Sequence, residues 1–159
     1  MFVNKNFNFL DPYLQFRLLY ESKLPIRPYP QDPGLDLYCT EEGVAQPGEF
    51  FRIFTGVSVI IPKGRYGMII GRAMAHIFDI IIITGVIDSG YQGQIFFRGF
   101  NVGKKPFYYL KGMRLAQLII QKYEMVIPLQ IPVSQNYPKS TRNINSCGSS
   151  GLCDCTTYQ

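Results

Sequence analysis

Apolar and polar residues alternate over Leu14-Gln15-Phe16-Arg17-Leu18, the two-residue period of a strand with one buried face. β-branched and aromatic runs extend that reading along the chain. They predict strands over residues 14–20, 35–39, one or two within 50–61, then 66–71, 80–83, 94–101, 107–110 and 115–123. Turn residues separate them: Pro47-Gly48, Pro62-Lys63-Gly64, Gly90, Gly103-Lys104 and Lys111-Gly112. Pro25, Pro28, Pro30 and Pro33 fix φ and remove amide donors, so residues 23–34 are expected to be extended and irregular as far as Gly34. Residues 73–79 are the one place where a short helix fits. Many short strands at this spacing predict an all-β sandwich or barrel, and no internal repeat is visible. From Ser134 onward the chain turns to Ser, Asn, Thr and Gly, which predicts a β domain over residues 1–133 followed by a mobile arm over 134–159.

Composition agrees with one core. The chain has 159 residues, 47% apolar and 17% charged, with 12 Phe, 11 Tyr, 15 Gly, 11 Pro and no Trp. That mixture suits strands and turns rather than a helical bundle. The net charge of +5 suits an anionic partner, a phosphorylated small molecule or a nucleic acid, and equally an ordinary basic soluble protein. No apolar run reaches the ~18–20 residues of a membrane span, and residues 1–10 lack the apolar core of a secretory signal. A soluble protein in an intracellular setting, cytoplasmic or nuclear, is expected. Cys39 stands alone while Cys147, Cys153 and Cys155 crowd the end of the chain, so reduced thiols are expected rather than a disulfide framework. The three clustered thiols lack the fourth ligand of a zinc site.

Special residues concentrate in Gly85-Val86-Ile87-Asp88-Ser89-Gly90-Tyr91-Gln92-Gly93. Its glycines allow a ligand to approach the backbone, whose N–H and C=O groups can read the edge of a base. Asp88 beside such a turn fits a general base, and equally an acid that closes an Asx-turn.

Five separated stretches, taken in order, resemble the trimeric dUTP pyrophosphatases. Pro33-Gly34-Leu35-Asp36-Leu37-Tyr38 is similar to that family's first motif, Gly71-Arg72-Ala73-Met74-Ala75 to the second, and Gly85 to Tyr91 to the third. Gly112-Met113-Arg114-Leu115-Ala116-Gln117-Leu118-Ile119 resembles the fourth, and the stretch from Arg142 to Gly151 the fifth, a Gly- and Ser-rich phosphate-binding arm. Lys23-Leu24-Pro25 and the stretch from Pro62 to Gly67 also match connecting segments usual in the family.

The resemblance implies a distorted jelly-roll, a homotrimer with active sites between subunits, and hydrolysis of dUTP to dUMP and pyrophosphate. It implies that Asp88 positions the water attacking the α-phosphorus and that Tyr91 packs under the sugar to exclude a 2′-hydroxyl. Backbone groups from Gly85 through Val86 to Ile87 would bind uracil, leaving cytosine with unpaired buried groups. Arg72 and Gln117 would contact phosphates, and Arg142, Gly148, Ser149 and Ser150 would close over the γ-phosphate. Asp36 would hold magnesium through water. Arg114 fits either a site residue or a structural arginine in the subunit interface. His76 has no evident partner acid.

Two positions depart from the pattern. Ala73 stands where a Ser hydroxyl usually touches the oxygen bridging the α- and β-phosphorus, and removing one such donor typically costs about 10²–10³ in kcat. Cys147 stands where the arm usually carries an aromatic over the uracil, a stack worth ~1–3 kcal/mol in base-binding sites. These departures keep open a second reading, a weakened or inactive relative that binds nucleotide or a protein partner. A third reading, a nucleic-acid-binding barrel with Phe107, Tyr108 and Tyr109 among lysines, sits poorly with the motif order.

Overall fold

The computed structural model describes residues 14–19 and 21–132. The chain divides into two units, Met1–Met125 and Val126–Gln159, and every strand and helix described lies in the first. The expected arm, and with it Arg142, Cys147, Gly148, Ser149 and Ser150, lies outside the described residues, as do Cys153 and Cys155.

The first unit is almost entirely β. Its strands are β1 (Gln15–Leu18), β2 (Gly34–Leu37), β3 (Gly43–Ala45), β4 (Phe50–Phe54), β5 (Val57–Ile60), β6 (Arg65–Gly71), β7 (Ile80–Ile83), β8 (Gly85–Ile87), β9 (Phe96–Asn101), β10 (Phe107–Tyr109) and β11 (Ala116–Lys122). One five-residue helix, α1 (Ala73–Ile77), falls in the predicted place. All strand pairings are antiparallel, in the orders β1-β5, β10-β3, β2-β11-β6-β8 and β4-β9-β7.

The stretch read as one or two strands over 50–61 is two, divided at Gly56, whose φ of +69 a side chain rarely adopts. β3 was not expected. Only Ala45 of its three residues is buried, so no alternation announces it; it exists because Phe107, Tyr108 and Tyr109 pair with it. The strand expected over 94–101 begins at Phe96. The proline-rich stretch is irregular as expected, except for one bridge from Ile26 to Asp36.

Alternation separates core from surface. In the four-stranded sheet, Leu37, Ile69, Ala116 and Leu118 face inward and join Ile53, Val57, Ile95 and Phe97 in one buried cluster. The neighbouring positions Asp36, Gln117, Ile70, Met68 and Val86 take the opposite face, because Asp36 stands opposite Gln117, Gln117 opposite Ile70, and Met68 opposite Val86. Asp36 and Gln117 are thus carried on strands, on the face turned away from that cluster. On the sheet β4-β9-β7, Arg52 stands opposite Arg98. The Arg52 guanidinium lies over the rings of Phe54 and Phe96, and that of Arg98 over Phe50.

Candidate active site

The sequence-predicted residues form two groups at different places along β6. The first is built on β8, an edge strand. It pairs with β6 through Ile69 opposite Gly85, Met68 opposite Val86 and Gly67 opposite Ile87. Because β8 has a strand on one side only among the described residues, alternate N–H and C=O groups on its other edge are left for a ligand.

A cavity of about 280 Å³ lies against it, lined by Ile69, Ile83, Thr84, Gly85, Val86, Ile87, Tyr91, Phe96, Phe97 and Arg98. Apolar walls beside an unsatisfied strand edge suit a flat, polar-edged ring. The Tyr91 hydroxyl donates to the carbonyl of Gln94 at 3.0 Å. Its ring lies over Gly93, where a Cβ would come within 2.5 Å of that hydroxyl. Gly93 is therefore what lets the tyrosine lie down along the cavity wall.

Asp88 follows β8 directly, and its carboxylate is exposed. The turn after it is closed by the main chain: the Tyr91 N–H donates to the Asp88 carbonyl at 3.0 Å. No hydrogen bond from a backbone N–H to the Asp88 carboxylate is seen among the described residues, so the side chain is not occupied by an Asx-turn.

The second group sits where β6 ends. Arg72 caps the start of α1 with extended backbone, its N–H donating to the Leu115 carbonyl at 2.9 Å. Its Nε meets Asp36 Oδ1 at 2.6 Å, and its Nη1 donates to the Arg114 carbonyl at 3.0 Å. Arg114 Nη1 donates to the other carboxylate oxygen, Asp36 Oδ2, at 3.0 Å. Asp36 is 2% exposed, Arg72 25% and Arg114 37%, so a buried acid holds two partly open guanidinium groups. Burial lifts the Asp36 carboxyl above the usual carboxylate range, and the two guanidinium groups oppose that rise. Gln117 completes the group: its Nε2 donates to the Gly71 carbonyl at 3.3 Å, and its side chain occupies the space a Cβ on Gly34 would take.

Arg114, left open as a site or an interface residue, is bonded to Asp36 of its own chain. Asp36, expected to hold magnesium through water, is buried, and each of its oxygens accepts from an arginine. Among the described residues no group of three or more His, Cys, Asp or Glu side chains gathers to hold a metal.

Sequence reasoning also missed Thr84, Phe96 and Arg98 as cavity walls. The alternation of β9 puts Phe96 and Arg98 on one face, but only the fold turns that face toward β8.

The larger cavity, about 660 Å³, holds none of the expected residues. It is lined by Leu19, Glu21, Lys23, Tyr38 and Lys111 among others, with the Lys23 ammonium 5.6 Å from the Tyr38 ring centre. Cys39 is buried beside it, its thiol pushed up to about 12 by desolvation.

Comparison with known proteins gives the family. Residues 20–151 match the dUTPase family. The deoxyuridine 5′-triphosphate nucleotidohydrolase of Clostridium tetani is 32% identical over 142 residues, covering 87% of this chain and 96% of that protein. That of Leifsonia xyli subsp. xyli is 34% identical over 134 residues, covering 82% and 86%. Among solved structures, a Staphylococcus bacteriophage 80alpha dUTPase variant with dUpNHpp aligns with a TM-score of 0.74 at 27% identity, over 89% of this chain and 100% of that one. A dUTPase variant from phage phi11 of S. aureus, described as coordinating a structural Mg(II) ion, aligns with a TM-score of 0.70 at 27% identity, over 75% and 96%. With an all-β fold, a base-sized cavity on a strand edge and an arginine pair at the expected motif positions, the chain belongs to the dUTPase family.

Proposed function

We propose that the protein hydrolyses dUTP to dUMP and pyrophosphate. The observation that carries this reading is the pairing of an edge strand and apolar cavity at Gly85, Val86, Ile87 and Tyr91 with the open carboxylate of Asp88 next in the chain. The free edge of β8 reads the base. A uracil satisfies a fixed row of donors and acceptors, while cytosine reverses one and leaves a buried group unpaired. Tyr91, held flat by its bond to Gln94, supports the sugar. Asp88 orients and deprotonates the attacking water, and the pyrophosphate leaves as the new P–O bond forms. Arg72 and Gln117 take the phosphate tail, with Arg142, Gly148, Ser149 and Ser150 of the arm over the γ-phosphate.

The active assembly in this reading is a homotrimer whose sites are completed between copies, and strand register supports it. Asp88 lies beyond Ile87, opposite Gly67, and Arg72 lies beyond Gly71. Gly67 and Gly71 alone are about 13 Å apart along β6 at the rise of a strand. A triphosphate whose α-phosphorus sits at Asp88 therefore meets the arginine pair of another copy more readily than that of its own. Magnesium, which the resemblance implies, enters no step here. No described helix is long and apolar enough to cross a membrane.

The test is pyrophosphate release from dUTP with magnesium by the protein and by Asp88→Asn. Loss of a positioned general base is expected to lower kcat by roughly 10²–10⁴ with little change in melting temperature, since the side chain is exposed. No release by either protein would end the catalytic reading in favour of a nucleotide-binding or protein-interaction relative, which the missing hydroxyl at Ala73 also suits.

A further inference from the structure

We propose that Asp36 is a positioning residue: its buried carboxylate locks Arg72 and Arg114 side by side as one phosphate-binding fork, and it does not anchor a metal ion. The inference rests on the dUTPase reading and deepens it, because the ligand of the fork is the triphosphate tail.

Three strands bring these residues together. Asp36 is fixed on β2 from both sides: its N–H donates to the Ile26 carbonyl at 2.7 Å, and it stands opposite Gln117 of β11. Arg72 enters from the end of β6 and Arg114 from the approach to β11. Two guanidinium groups that meet the same carboxylate would repel each other and splay apart without that anion between them. Asp36 supplies that anion and, being one charge against two, leaves the cluster with one net positive charge. A neutral pair would have nothing left for a phosphate; this one does.

The donor inventory points the same way. A guanidinium has five N–H donors in a rigid plane. Arg72 uses two directions inside the chain, Nε toward Asp36 and Nη1 toward the Arg114 carbonyl, and its side chain is 25% exposed. Arg114 spends Nη1 on Asp36 and is the more exposed of the two. The carboxylate has the opposite character: at 2% exposure, with each oxygen taken, it presents nothing to the water shell that a magnesium ion keeps around itself. The chain's contribution at this place is then the cationic fork.

The test separates the two roles by measuring nucleotide binding without metal. Affinity for a non-hydrolysable dUTP analogue is determined in chelator, and the half-saturating magnesium concentration is determined from dUTP hydrolysis, for the full-length protein and Asp36→Asn. Melting temperature is recorded alongside. The fork predicts that Asp36→Asn weakens metal-free binding at least about tenfold and leaves half-saturating magnesium within about twofold. It also predicts that adding Asp36→Asn to Arg72→Ala costs less than Asp36→Asn alone, since the two act as a unit. A shift in half-saturating magnesium of tenfold or more with metal-free binding unchanged would make Asp36 a metal anchor and overturn the proposal. A lower melting temperature with both binding quantities unchanged would overturn it too, leaving only a structural ion pair. Should Asp36→Asn not fold, Arg114→Gln keeps the Asp36–Arg72 bond and is expected to weaken metal-free binding; unchanged binding counts against the fork. Absence of analogue binding by the unmodified protein, with or without magnesium, removes the functional reading itself and the fork with it, whereas binding that ignores all three substitutions removes the fork alone.

Discussion

Ala73 follows Arg72 directly and opens α1. The family resemblance puts a serine hydroxyl at that position on the oxygen bridging the α- and β-phosphorus, and donors aimed at developing charge are worth more than those aimed at the ground state. Ala73→Ser is therefore expected to raise kcat on dUTP, by as much as about 10²-fold, with KM little changed. Single-turnover kinetics would check this; a gain confined to KM would show that the serine merely binds. Cys39 is the contrasting case at this scale. Its thiol is buried, its N–H donates to the Met113 carbonyl, and desolvation keeps it protonated far above neutrality. It is a packing residue and no nucleophile.

Strands set the spacing on which those residues depend, and a few glycines set the strands. Gly99 in β9 stands opposite Phe51 in β4, and a Cβ there would run into the Phe51 ring. That ring is held by Tyr109 at 5.5 Å between ring centres and by Phe107 at 6.0 Å, so it has little room to yield. Gly99→Ala is expected to lower unfolding free energy by roughly 1–3 kcal/mol through overpacking, read as a lower urea midpoint with an unchanged slope. Phe51→Leu in the same chain should relieve part of that loss, and equal losses in both backgrounds would rule out the ring as the cause. The other sheets show how elements become legible. β6 and β11 carry long apolar alternation and were expected almost to the residue. β3 has three residues and one inward side chain, and is specified by its partner β10 rather than by its own pattern.

At the scale of the molecule, the separation of Asp88 from Arg72 along β6 makes a strong prediction about assembly. Asp88→Asn and Arg72→Ala should each be nearly inactive alone. Unfolded together and refolded as a mixture, they should regain a substantial fraction of activity, because some sites in mixed trimers draw the carboxylate from one parent and the guanidinium from the other. A mixture no more active than its parents would mean that each copy completes its own site. Mass by sedimentation of the unmodified protein, expected at three chains, supplies the companion measurement.

Local chemistry alone determined the all-β class, the place of the short helix, the turns at Gly48, Gly64 and Gly112 with their positive φ, and the segment from Gly85 to Tyr91 as the densest in functional groups. Each of these depends on residues adjacent in the chain, where periodicity and backbone freedom are visible. Tertiary structure decided the partners of Asp36. Its two partners lie 36 and 78 positions away in the chain, and whether a carboxylate on a strand meets water, a metal or an arginine depends on which other strands reach it. The free edge of β8 is likewise invisible in the sequence, since an edge is defined by the strand that is not beside it.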